Sequence, residues 1–218
     1  MPLKDDVLAA LSNDHVRHLR FSVGDFQVTP DLFHEVAEAI EDDYLAIASV
    51  DTYTSGSESD AGVDPGTAAF YVTEHDTMFV RPRPAGSQLR QAWDMTAIHE
   101  TFHAACDLHQ MRHMVRLCEE AIAYLVGSAF LRMVAGGTAV HFGESVFQEA
   151  HRLVEEHGLA DWDSGDPVPA LAWTDIDELK RLIHADQHYS MFSETDEVTH
   201  HDGIWRTNWL RNRVLFVP

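Results

Sequence analysis

Ala97-Ile98-His99-Glu100-Thr101-Phe102-His103 sets an HExxH pattern inside a run of helical character, and the rest of the chain is best understood outward from it. Two imidazoles four residues apart are about 400° apart around a helix, so His99 and His103 project from one face about a turn apart, close enough to share one metal ion. Glu100 falls on the flank of that face. Its carboxylate is placed to reach a water on the metal without ligating the ion, which is the general-base position of a zinc hydrolase. A chain with 15 histidines also produces such spacing by accident, so the surroundings have to carry part of the case.

Downstream, His103-Ala104-Ala105-Cys106-Asp107-Leu108 runs on to Cys118-Glu119-Glu120-Ala121-Ile122-Ala123-Tyr124-Leu125. Over residues 68–130 the combined string resembles bacterial zincin-type metallopeptidases that read HExxHAxxDL followed by an EAxAY helix. The resemblance implies gluzincin chemistry, in which the glutamate opening the second motif is the third zinc ligand; here that is Glu120. It also implies one zinc ion per chain. The expected fold is α+β, a single zincin-like domain with a small mixed β-sheet and an edge hairpin packed on a mainly helical body.

The third ligand has rivals. A straight helix would carry Glu120 about 25 Å along the axis from His103, so the chain must reverse, and residues 107–113 are the expected turn although they hold neither Gly nor Pro. His109 follows His103 by six residues, which is metzincin spacing, with Ser190-Met191 as a faint match to a Met-turn. That pattern needs Gly where Cys106 stands, because the chain turns sharply there. His113 is a further alternative. Of the glutamate pair, Glu119 is expected to be a solvated neighbour of Glu120. Tyr124 shares the face of Glu120, so its hydroxyl either supports a ligand or its ring is plain core.

At 218 residues and 45% hydrophobic content the chain can bury one sizeable core. A single unit over 1–218 is expected: 1–85 an N-terminal α/β part with the sheet, 86–135 the active-site and glutamate helices, 136–218 a C-terminal helical part. Fifteen Lys and Arg face 36 Asp and Glu for a net charge of −21. No basic stripe exists to neutralise phosphates, which disfavours nucleic acid. The acidity is either a solvated surface or an attraction to a basic peptide or protein. No stretch approaches 18 apolar residues, and residues 1–6 hold no basic region leading into an apolar segment, so the expectation is a cytoplasmic protein without membrane contact, with signal-independent secretion left open. Cys106 and Cys118 are too few for a disulfide framework. They are expected as small buried side chains, and a role for Cys106 near the metal stays open.

Along the chain, residues 5–11 predict a short helix and 21–28 a strand. Thr29-Pro30-Asp31 opens a helix over 30–41, and residues 44–50 predict a buried strand. Residues 54–62 have loop chemistry. Residues 70–73 and 77–80 predict a hairpin around Glu74-His75-Asp76, although its turn has no glycine. Zincin folds keep an edge strand above the metal, so the resemblance makes 68–81 a substrate shelf; the alternative is an ordinary core hairpin. Residues 81–86 break the sheet before the active helix begins near 87–92. Residues 121–135 predict an apolar helix packed across it, ended by Gly136-Gly137. A further helix is expected from 143 or 145 to 157, a loop pinned by aromatics over 159–173, and a capped helix from 174 to 185.

In the tail, His184, His188, Tyr189, His200 and His201 cluster. Gluzincin sites recruit a downstream His or Tyr to hold the oxyanion, so the resemblance makes Tyr189 and His188, ahead of His200 and His201, catalytic candidates; a solvated His-rich surface is the alternative. Trp205, Trp209 and Val214-Leu215-Phe216 suggest a docked C-terminus. The expected function is a zinc-dependent peptidase: His99, His103 and Glu120 hold zinc, Glu100 takes a proton from the activated water and passes it to the leaving amine. Two other functions fit the same parts. One is an effector or toxin protease with one dedicated protein target, and the other an acidic interaction protein on a zincin scaffold with weak turnover.

Overall fold

The computed structural model describes residues 2–53, 68–136, 145–163, 165–185, 195–197, 201 and 203–204. The elements run α1 (Pro2–Leu11), β1 (Phe21–Val23), β2 (Phe26–Val28), α2 (Pro30–Glu41), β3 (Ala46–Ser49), β4 (Ala69–Val72), β5 (Thr77–Val80), α3 (Ser87–Leu108), α4 (Arg116–Val134), α5 (Ser145–Glu156), β6 (Ala170–Leu171) and α6 (Asp177–Ala185). The protein is α+β, as expected. Among the described residues the strands form two small three-stranded sheets, ordered β2-β1-β6 and β3-β5-β4, where a single small sheet was expected.

α3 packs against α1, α2, α4, β4 and β5; its first turn is exposed, but from Trp93 to Leu108 none of its residues is exposed. Trp93, Met95, Ala97, Ile98, Phe102, Ala104, Ala105, Cys106 and Leu108 are all buried, the pattern of a helix enclosed by other elements. α4 lies along α3 and is covered on its other side by α5 and α6, while α2 packs on α3. The fully buried Ile98, Phe102, Ile122 and Phe130 belong to one continuous core cluster, each contributing about 1.5–3 kcal/mol of burial. Gly127 on α4 permits the close approach: a Cβ there would meet the Met95 side chain at 3.2 Å and the His99 Cβ at 3.7 Å.

The reversal between α3 and α4 falls within the expected residues 107–113. His109 ends α3 and Gln110 takes a left-handed φ of 53°. Met111 N–H reaches Cys106 C=O at 2.9 Å and Gln110 N–H reaches Asp107 C=O at 2.8 Å, the paired bonds of a Schellman stop with Gln in the position usually held by Gly.

The predicted hairpin forms with Phe70 opposite Phe79 and Tyr71 opposite Met78. Asp76, at φ 46°, supplies the left-handed residue that the missing glycine would have provided. Among the described residues β5 is central, with β4 antiparallel to it at one edge and β3 parallel to it at the other. β3 is half-buried along its length, a correction to the buried strand expected at 44–50. Residues 21–28 are not one strand but a tight hairpin turning at Gly24, where φ is 57° and a Cβ would strike the Trp173 indole at 2.0 Å. β6 pairs in parallel with β1 inside the segment expected to be loop. The expected loop at 54–62 and Gly137 lie outside the described residues. Among the described residues no helix is long and apolar enough to cross a membrane.

Candidate metal centre

His99 and His103 leave α3 on the face turned toward α4, with their Nε2 atoms 3.3 Å apart. Glu120, in the second turn of α4, brings Oε2 to 3.7 Å from His99 Nε2 and 3.5 Å from His103 Nε2. Among the described residues, these three form a group of ligand atoms lying within 4.8 Å of one another. Two atoms bound at about 2.0–2.1 Å to a tetrahedral zinc ion are about 3.3–3.4 Å apart. The donor set and its spacing therefore fit zinc with three protein ligands.

Electrostatics point the same way. Burial alone would lower the basicity of His103, but the Glu120 and Glu119 carboxylates overrule it and raise its pKa well above the usual value. Burial would likewise raise Glu120, and the two imidazoles hold it far below the ordinary carboxylate range. The pocket draws positive charge, which a metal ion supplies as readily as a proton.

His103 is aimed by its other nitrogen. Nδ1–H donates to Glu119 Oε1 at 2.6 Å, which leaves the Nε2 lone pair facing Glu120 and His99. Glu119 is 4% exposed, so the expectation of a solvated neighbour is corrected. Consecutive helical residues point about 100° apart, and α4 is close enough to α3 for both carboxylates to meet it, Glu120 at Nε2 and Glu119 at Nδ1. Two hydrogen bonds, from His103 and His201, keep Glu119 more acidic than usual despite its burial.

Glu100 flanks the cluster, Oε1 3.9 Å from His99 Nε2, and its Oε2 accepts the backbone N–H of Tyr71 at 2.9 Å. Burial raises its pKa in spite of the neighbouring imidazoles, toward the range in which a carboxylate accepts a proton readily. The cleft over these groups is about 260 Å³ and is also lined by Phe70, Thr73, Arg116 and His201. Depressions of about 630 Å³ lie elsewhere, one against α1 and α2 and one lined by Met111, Met114 and Trp173. Neither holds such a ligand set.

The rival ligands are placed elsewhere. His109 pairs with Glu35 of α2 at 2.9 Å. The His113 side chain is 92% exposed beside Glu197. Cys106 is buried, and burial pushes its thiol pKa well up, as expected of a small core side chain. The Tyr124 ring stands edge-on to His99 at 4.8 Å and to Phe147 at 5.0 Å, so it packs against the His99 imidazole. Tyr189, His188, His200 and Ser190-Met191 lie outside the described residues. His201, ranked with His200 below Tyr189 and His188 in the sequence, reaches the site: its Nε2–H donates to Glu119 Oε2 at 2.9 Å. No local pattern marks it, because its partner is 82 residues away in the chain.

Comparisons with protein-family models, with curated proteins and with solved structures return no match to this chain.

Proposed function

We propose that the chain is a zinc-dependent peptidase of the gluzincin-like HExxH kind. The convergence of His99 Nε2, His103 Nε2 and the Glu120 carboxylate at separations of 3.3–3.7 Å, with Glu100 at their side, carries the proposal. Bound zinc would polarise the scissile carbonyl and lower the pKa of a water. Glu100, held by Tyr71 N–H, accepts the proton of the attacking water and returns it to the leaving amine. Its raised pKa suits both transfers. β4 borders the cleft as an edge strand, with Tyr71 beside the general base, which supports residues 68–81 as the shelf for an extended peptide. The substrate class is a peptide or protein chain, and a net charge of −21 favours a basic one.

The deciding experiment measures zinc in gently purified protein, with about one ion per chain expected, and compares the parent with Glu100→Gln on a peptide library. Glu100→Gln should retain the metal and lose turnover by about 10²- to 10⁴-fold. A chain that neither carries nor takes up zinc removes the enzyme; full zinc with unchanged activity in Glu100→Gln removes the mechanism.

A further inference from the structure

We propose that His201 is a positioning residue of the metal centre, and that packing of the described residues beside it, 195–197, 203 and 204, completes the site. The assignment builds on the metal centre proposed above. Glu119 aims His103, but a carboxylate held by one donor still rotates about its terminal bond. The His201 Nε2–H on the second oxygen, at 2.9 Å, fixes the carboxylate plane and with it the line from Oε1 to His103 Nδ1. Three buried ionisable groups take part, Asp107 at 0%, His201 at 3% and Glu119 at 4% exposure. Without the imidazole two buried carboxylates would face each other, which is costly.

His201 is itself held from several sides. Its carbonyl accepts Arg112 Nε–H at 2.8 Å, and its Nδ1 lies 3.8 Å from Asp107 Oδ1. Asp107 also accepts the Gly203 N–H at 3.1 Å and the Tyr71 hydroxyl at 2.7 Å. The same Tyr71 holds Glu100 through its backbone N–H. Arg116 N–H bonds to Asp196 C=O at 2.8 Å and Val115 bridges Glu197, which registers the segment on the first turn of α4. One connected set of contacts thus joins the general base to the metal-facing imidazole and passes through a residue from the far end of the chain.

A merely structural tie would cost stability and leave metal affinity alone; a positioning residue changes affinity in chain that remains folded. The test measures zinc dissociation constants by chelator competition and unfolding midpoints of the metal-free protein, for the parent, His201→Ala, His201→Gln and Gly203→Ala. His201→Ala should weaken zinc by about 10- to 100-fold, and His201→Gln, which keeps an N–H donor, should recover most of the loss. Gly203→Ala leaves the imidazole in place but puts a Cβ at φ 94° and 2.8 Å from Gln110 Nε2, so it should loosen the segment and weaken zinc in the same direction. Should His201→Ala fail to fold, Gly203→Ala and His201→Gln carry the comparison. Affinities within about twofold of the parent, with or without a lowered midpoint, overturn the role of His201 while leaving the metal centre intact. A parent that binds no zinc overturns both.

Discussion

Glu120 and His109 give opposite outcomes at the scale of single residues. Glu120 faces both Nε2 atoms, whereas His109 pairs with Glu35 across the α2 contact. Even groups standing behind a metal ligand are worth about 10- to 100-fold in affinity, so Glu120→Ala should weaken zinc by more than about 100-fold. His109→Ala loses only a partly exposed ion pair, about 1 kcal/mol or less, and should leave zinc affinity at the parent value. Chelator competition on both variants checks this, and a large loss confined to His109→Ala would transfer the third-ligand role. The HExxH face was legible because two residues four apart on a helix must share a side. Glu119 was not legible, since a glutamate beside another glutamate reads as solvated until a second helix is laid against it.

Between elements, the site depends on the distance from α3 to α4. Gly127 sets that distance where the helices face each other at Met95 and His99. Gly127→Ala should be tolerated by a small shift of the flexible Met95 side chain. Gly127→Leu overfills a packed contact, costs about 1–3 kcal/mol, and moves Glu120 relative to the imidazoles. Denaturant unfolding together with zinc affinity should show both losses for Leu and neither for Ala; a Leu variant with parental affinity would mean that helix spacing does not control the centre. The elements themselves were largely readable. α2, the β4–β5 hairpin, α3 and α4 follow from caps, periodicity and turn residues, and the reversal at Gln110 lies where the distance to Glu120 required it. Misjudged were the hairpin inside 21–28, where Gly24 turns the chain beneath Trp173, and β6, whose two residues have no pattern of their own and become a strand only beside β1.

For the whole molecule, Asp196, Glu197, His201 and Gly203 tie a late part of the chain to its core, and pH reports on that link. Burial would lower the His201 pKa, but Asp107 of α3 and Glu119 of α4 outweigh it and raise it to about 9. The other groups on this contact are the Tyr71 phenol bonded to Asp107 and the Arg112 guanidinium on the His201 carbonyl. A pKa raised from the usual 6.5 means that protonated His201 stabilises the fold, fully below about pH 6.5, with the contribution lost as pH rises through about 9. Its ceiling is about 3 kcal/mol at 1.36 kcal/mol per unit. The unfolding midpoint of metal-free protein should therefore fall between pH 6.5 and 9.5 in the parent more steeply than in His201→Gln, and parallel curves would refute the link.

The division between what could be read and what could not follows from the range of the interactions. Helical phase, capping and turn chemistry act over a few residues, so the pairing of His99 with His103, the flanking position of Glu100 and the need for a reversal before Glu120 were all present in the linear order of residues. The Glu119 bond to His103 spans 16 residues, the His201 bond to Glu119 spans 82, and the contact between Trp173 and Asp25 spans 148. A residue's type sets what it can bond to, but its partner is chosen only when packing of the apolar faces brings distant backbone together. The chemistry of the site is therefore local in origin, and the orientation that would make it bind a metal is a property of the folded core.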